Sequence, residues 1–278
     1  MTERVLLAGC GDLGLRVAQR LLAQGAEVFA LRRSPPADAG DGLRWLRGDL
    51  TRPDTLRDLP SGLSQVVFSP TPGARDEAAY RAVFVDGLQY LMAALADAPL
   101  QRVLFVSSSA VYGEHGDAWV DEDTPPAPPG FNGRVLLEAE RWLAAQPVSS
   151  VSLRLAGIYG PGRMQLVERI RAGQAPVRRD PPHWSNRIHV DDAAAAAVHL
   201  LGLTAPERVY VGVDDTPLPL HVLYEHLAGL VGASRPEEGA APPGVGSKRL
   251  SNARLRGSGF GVVWGDAREG YRVLLEGT

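Results

Sequence analysis

Cysteine and lysine are nearly missing from this chain of 278 residues: Cys10 is its one cysteine and Lys248 its one lysine. A single cysteine excludes an intrachain disulfide framework and any multi-cysteine zinc site. Arginine supplies the other 28 basic residues and holds its proton too firmly to shuttle it, so any lysine chemistry falls to Lys248. Ser247 and Arg249 flank that lysine, which excludes a phosphate loop ending in Gly-Lys-Ser/Thr. No charge of one sign dominates: the net charge of −3 leaves no basic footprint, and nucleic-acid binding is not expected. Long hydrophobic runs are missing too. The most apolar stretch, Ala193 to Leu201, is half a membrane span and is interrupted by His199. The run from Val5 to Ala8 stops at Gly9 and has no basic flank, so neither a signal peptide nor a membrane association is expected, and the location is expected to be cytoplasmic. His183, His199, His221 and His226 show no paired ligand spacing, so no metal is expected.

What the sequence does hold is alternation. Arg4–Ala8 reads as a buried strand, residues 12–24 as a helix stopped at Gly25, and Glu27–Leu31 as a second strand; strand, helix, strand within this distance is the βαβ unit of a parallel sheet. Strands follow at 43–46, 65–68, 102–106 and 151–155, with helices at 53–59, 75–96 and 132–145. The implied fold class is α/β, a Rossmann-like doubly wound parallel sheet with a smaller C-terminal substrate lobe. The expected division is 1–158 for the dinucleotide-binding domain, with helix 191–201 packing back on it, and 159–278 for the smaller lobe, in which 232–247 reads as a surface loop or lid.

Gly9-Cys10-Gly11-Asp12-Leu13-Gly14 falls between the first strand and the first helix, the context in which Gly-x-Gly-x-x-Gly cradles a pyrophosphate. Gly9 allows the tight turn, Gly11 lets the backbone approach the ligand and Gly14 packs helix on strand; Asp12 and Leu13 complete the loop. After the second strand stand Arg32, Arg33 and Ser34, where an NAD site usually has an acid; the nearest one, Asp38, lies beyond Pro35-Pro36. An arginine fork suits a 2′-phosphate, so NADP is expected in preference to NAD.

Several segments, in order, resemble the extended short-chain dehydrogenase/reductase family, the NAD-dependent epimerase/dehydratases. They are Gly48-Asp49-Leu50, Ser107 through Gly113, Asp121 through Pro125, Arg154 with Gly157 through Arg163, and Ile188 through Asp192. The resemblance implies that Asp49 and Leu50 flank the adenine, that Ser69 and Pro70 line the nicotinamide ribose with Ser107 in the cofactor set, and that Ser108 is the catalytic Ser/Thr. It also implies a homodimer built on the helices at 75–96 and 132–145.

The chain departs from the family at the Tyr-x-x-x-Lys pair. One register puts Asn132 and Leu136 there, the other Phe131 and Val135, and Phe84 stands in place of the helix asparagine. None of these shuttles a proton near neutral pH. Tyr112 and His115 are the nearest alternative donors, and Tyr112 is also family-typical packing. Arg163, Arg178, Arg179, Arg187, Lys248 and Arg249 come from segments suited to an anionic substrate such as a nucleotide-sugar diphosphate. Two functions follow: an NADP(H)-dependent oxidoreductase or epimerase on a small polar or sugar-like substrate, with Ser108 polarising the reacting oxygen, or a non-catalytic NADP(H) sensor.

Overall fold

Four-residue runs with no polar side chain cannot face water, and the parallel sheet buries them on both sides. In the computed structural model, which describes residues 2–36, 42–242 and 244–277, β1 (Arg4–Ala8) is flanked by β2 (Glu27–Arg32) and β4 (Gln65–Phe68), both parallel to it. Beyond them lie β3 (Leu43–Arg47) and β5 (Arg102–Ser108). Strands Ser149–Leu155 and Val209–Gly212 complete a seven-stranded parallel sheet, ordered from the latter through Ser149–Leu155, β5, β4, β1 and β2 to β3. Val5 through Ala8, Val66 through Phe68 and Val103 through Phe105 have no exposed surface.

The chain divides into two compact units. Unit 1 comprises 1–111, 131–154 and 194–210, and unit 2 comprises 112–130, 155–193 and 211–278. In unit 1, α1 (Asp12–Ala23) turns Leu13, Val17, Ala18 and Leu21 inward, and Gly25, at φ +83°, ends the connection to β2. The expected helix at 75–96 is interrupted. Glu77–Arg81 and Gly87–Ala94 are α-helical, but Ala82–Asp86 between them is a π-turn, a widening that periodicity cannot announce. The segment at 53–59 is shorter than expected, a single 3₁₀ turn at Pro53–Leu56.

Helix Phe131–Ala144 is tied to the sheet by a buried ionic group. Arg154 donates from Nε and Nη2 to Glu140, whose Oε1 also accepts from the Ser107 hydroxyl. Both ionic side chains are 5% exposed. A second arginine, Arg102, caps the end of helix Val190–Gly202 by donating Nη1 to the carbonyls of Leu200, Leu201 and Leu203.

Unit 2 is built from small ladders. Gly157–Tyr159 pairs parallel with Arg187–His189, Trp184–Ser185 antiparallel with Leu218–Pro219, and Trp119–Val120 parallel with Arg249–Leu250. Strands this short give no periodic signal. Its core gathers Tyr159, Val167, Ile170, Leu223, Leu227 and Tyr271, with the Tyr159 and Tyr271 rings stacked at 4.5 Å. Asp192 accepts the backbone N–H groups of Val263 and Trp264. The segment at 232–247 does not stay at the surface throughout: Ser247 and the following Lys248 are buried.

Breaking the Glu140–Arg154 pair one-sidedly leaves a buried guanidinium without its counter-charge. Glu140→Ala is expected to cost roughly 3–5 kcal/mol in denaturant unfolding, and Glu140→Leu with Arg154→Met much less. Asp214 generates a pH dependence. Burial pushes its carboxyl up to about 8, opposed by a hydrogen bond from Thr216 and assisted by Asp266 and Asp215. The unfolded chain releases this proton near the ordinary aspartate value while the folded chain keeps it, so Asp214 costs stability as pH rises from about 4 to 8. Asp214→Asn is expected to stabilise the protein at pH 8 relative to pH 4, as read by thermal melts at the two values.

Candidate functional site

The carboxyl ends of β1, β2 and β4 open onto a cavity of about 360 Å³. Its lining includes Gly9, Gly11, Arg32, Arg33, Asp49, Leu50, Ser69 and Pro70, all in unit 1. The glycine loop owes its shape to two close approaches. Gly9 has φ +89°, and a Cβ there would stand 2.4 Å from Pro70 Cα. The Ser69 hydroxyl donates to Gly9 O at 2.8 Å and fixes the loop against the end of β4. Gly11, by contrast, has nothing within 4 Å of its Cβ direction, and no side chain caps α1 behind it. Open space before an uncapped helix N-terminus fits a pyrophosphate. Asp12, Leu13 and Gly14 form the first turn of α1: Asp12 bonds Arg16 at the surface, while Leu13 and Gly14 are buried. A Cβ on Gly14 would come within 3.1 Å of Gly9 O, which accounts for the third glycine.

Opposite this loop, Asp49 accepts the N–H and hydroxyl of Thr51 at Oδ1, holding the turn that carries Leu50. Arg32 ends β2 with its guanidinium 6.0 Å from the Trp45 ring. Arg33 is exposed, its Nη1 reaching towards Gly73. Neither makes an ion pair among the described residues; Asp38 lies outside them. Cys10 and Ser34, inside the glycine-loop and Arg32-Arg33-Ser34 segments, also line the cavity, together with Thr51, Thr71 and Val83, which the sequence does not single out. Thr51 and Thr71 were within reach of inference, since each is next to, or one removed from, a segment already singled out. Burial raises the Cys10 thiol to about 11, with Arg32 pulling it down, so it stays protonated as part of the wall.

Ser107 is buried with its hydroxyl committed to Glu140. Ser108, the next residue, is half-buried at the end of β5, its Oγ accepting from Ala110 N at 3.2 Å. The positions of the family's Tyr-x-x-x-Lys pair fall at the start of helix Phe131–Ala144. Val135 and Leu136 are buried. Phe131 packs edge-on to Tyr80 at 5.3 Å, and Tyr80, Phe84, Phe105 and Phe68 continue the aromatic chain at ring separations of 5.4, 6.2 and 5.6 Å.

The remaining candidates belong to unit 2. Tyr112 is fully enclosed. Arg163 lies half-buried after the turn at Gly160, and Arg187 donates to Ser185 Oγ. Arg249 is held between the Trp119 and Trp184 rings at 5.2 and 5.0 Å, with Nε on Asp117 O. Lys248 is 4% exposed and donates to Gly246 O.

A parallel sheet whose order reverses beside β1, with a glycine loop at that point, defines a dinucleotide-binding α/β protein. Residues 5–212 match the NAD dependent epimerase/dehydratase family, and the chain belongs to it. Protein YeeZ of Escherichia coli K12 is 30% identical over 247 residues, 84% of this chain and 86% of its own. A solved structure from Methylobacillus flagellatus, assigned to the NAD-dependent epimerase/dehydratases, is 44% identical with a TM-score of 0.84, covering 100% of this chain and 99% of that one. MoeE5, solved with UDP-glucuronic acid and NAD, is 27% identical with a TM-score of 0.82, covering 99% and 98%. No helix among the described residues is long and apolar enough to cross a membrane.

The two loop glycines separate folding from binding. Gly9→Ala is expected to lower the thermal midpoint, because its Cβ meets backbone. Gly11→Ala, at φ −86°, is expected to melt like the wild type yet lose dinucleotide affinity in a fluorescence titration.

Proposed function

We propose that the chain is an NADP(H)-dependent oxidoreductase or epimerase acting on a small polar or nucleotide-sugar-like substrate. One observation carries the reading: Arg32 and Arg33 stand at the rim of the glycine-loop cavity, where an NAD site would place an acid. In this reading their guanidinium groups take the 2′-phosphate as charge-assisted donors. Gly9, Gly11, Asp12, Leu13 and Gly14 hold the pyrophosphate. Asp49 and Leu50 bound the adenine, and Ser69 and Pro70 the nicotinamide ribose, with Ser107 serving through its backbone because its hydroxyl is engaged. The cofactor supplies hydride chemistry, and the protein supplies orientation and polarity.

Ser108 polarises the reacting oxygen from the end of β5, and Tyr112, being enclosed, serves as packing. With no tyrosine or lysine at the Tyr-x-x-x-Lys positions, the proton comes from water or substrate at some loss of rate. Arg163, Arg187, Lys248 and Arg249 supply positive charge for an anionic substrate. MoeE5 and its sugar nucleotide support that substrate class. The protein acts in the cytoplasm as a homodimer. The aromatic chain through Phe131 and Phe84 favours a second reading, a non-catalytic NADP(H) sensor, because it leaves no titratable group at those places.

Parallel titrations with NADPH and NADH, followed by nicotinamide fluorescence, test this. NADPH is expected to bind at least ten-fold more tightly, and Arg32→Glu with Arg33→Ser to abolish the difference. Equal affinities would overturn the NADP assignment. NADPH oxidation with any member of a carbonyl panel would separate the enzyme from the sensor.

A further inference from the structure

Unit 2 holds a polar cluster built on a buried strap at 246–250. Gly246 approaches the neighbouring turn so closely that a Cβ would stand 2.3 Å from Gly113 O. Ser247 donates its N–H to Glu114 Oε2 at 2.7 Å, accepts His115 N at its carbonyl, and takes Trp184 N on its hydroxyl. Asn186 Nδ2 donates to Lys248 O at 2.9 Å. The strap is therefore held at Ser247 and at the Lys248 carbonyl. Arg249, the next residue, lies between the Trp119 and Trp184 rings.

The Lys248 ammonium has three donors and uses one, on Gly246 O at 2.9 Å. Among the described residues no carboxylate lies within ion-pair distance of it. His183 shares this neighbourhood. It is 2% exposed, and its Nδ1 has no partner. Arg178, its Nε on Pro181 O, adds positive charge that His183 senses. The facing carboxylate, Glu114, already accepts Ser247 N and Gly116 N. Burial lowers the Lys248 amine to about 8 against the pull of Glu114, and burial likewise lowers His183, with Glu114 opposing and Arg178 and Lys248 adding to it. Lys248 keeps two ammonium donors unused, and a neutral His183 offers one ring N–H, a pair that an oxyanion can satisfy.

We infer that Lys248 and His183, backed by Arg178, form an oxyanion subsite that takes a carboxylate or phosphoryl group of a small-molecule ligand. The inference rests on the anionic-substrate reading above and adds His183 to it. A lysine ammonium is a compact point charge rather than a fork, so the subsite grips one oxygen cluster without demanding bidentate geometry.

The test is calorimetric titration of the full chain with inorganic pyrophosphate and, separately, glucuronate, alongside the NADPH titration. Pyrophosphate also suits the glycine loop, so the readout is dependence on Lys248. Affinity for at least one anion is expected to fall ten-fold or more in Lys248→Met and His183→Phe and to recover in Lys248→Arg. Should a variant fold poorly, the wild type still answers. Lys248 is the one side-chain amine, so trinitrobenzenesulfonate modification read by peptide mass spectrometry reports on it directly, and the bound anion is expected to slow it. Protection by pyrophosphate identifies a phosphoryl subsite, and protection by glucuronate a carboxylate one. Unchanged affinity in Lys248→Met, labelling indifferent to both anions, or binding of neither anion overturns the subsite. Anion binding without NADPH binding instead overturns the dinucleotide reading and leaves the subsite standing.

Discussion

β1 is paired on both edges, and the rest of unit 1 depends on that constraint. A strand buried on both faces satisfies its backbone only through neighbours, so β2 and β4 must lie parallel to it and the chain must cross over between them. The order of the strands reverses there, which leaves a crevice at their carboxyl ends. The cavity lined by Gly9, Arg32, Asp49 and Ser69 is that crevice. Its depth is set by the contact of the Gly9 backbone with Pro70, which no side chain at position 9 would allow.

The ionic group at Glu140 ties helix Phe131–Ala144 to the sheet. Ser107 hands its hydroxyl to Glu140, and Arg154 neutralises the carboxylate from the next strand. The end of β5, and so the backbone that presents Ser108, is held by a charge pair rather than by loop packing. At the start of the helix that carries Glu140, Phe131 meets Tyr80 edge-on, and Tyr80 in turn contacts Phe84 at a tilt. The same helix thus carries a buried carboxylate towards the sheet at Glu140 and buries the apolar Val135 and Leu136 near its start.

Much of the fold was legible because it is written in local patterns. The apolar runs at Val5–Ala8, Val66–Phe68 and Val103–Phe105, and the glycine spacing at Gly9, Gly11 and Gly14, need no tertiary information. The interruption at Ala82–Asp86 was not legible, since one inserted residue in a helical turn leaves the composition unchanged. Nor were the short ladders of unit 2, whose two or three residues are too few for a period. Val83 reaches the cavity from a segment whose direction only folding sets.

By itself, the sequence determined that a parallel sheet would form, where its glycine loop would fall, and that one lysine would carry all amine chemistry. It could do so because strand burial, backbone freedom at glycine and residue counts are properties of short segments or of the whole composition. Tertiary structure decided which polar groups would be spent and which left over. Ser107 spends its hydroxyl on Glu140 and Asp49 one carboxylate oxygen on Thr51, Arg249 is clamped between indoles, and Lys248 is buried beside His183 with donors to spare. The physical reason is that a side chain's chemistry depends on its partners and its contact with water, and both are assembled from residues far apart in the chain.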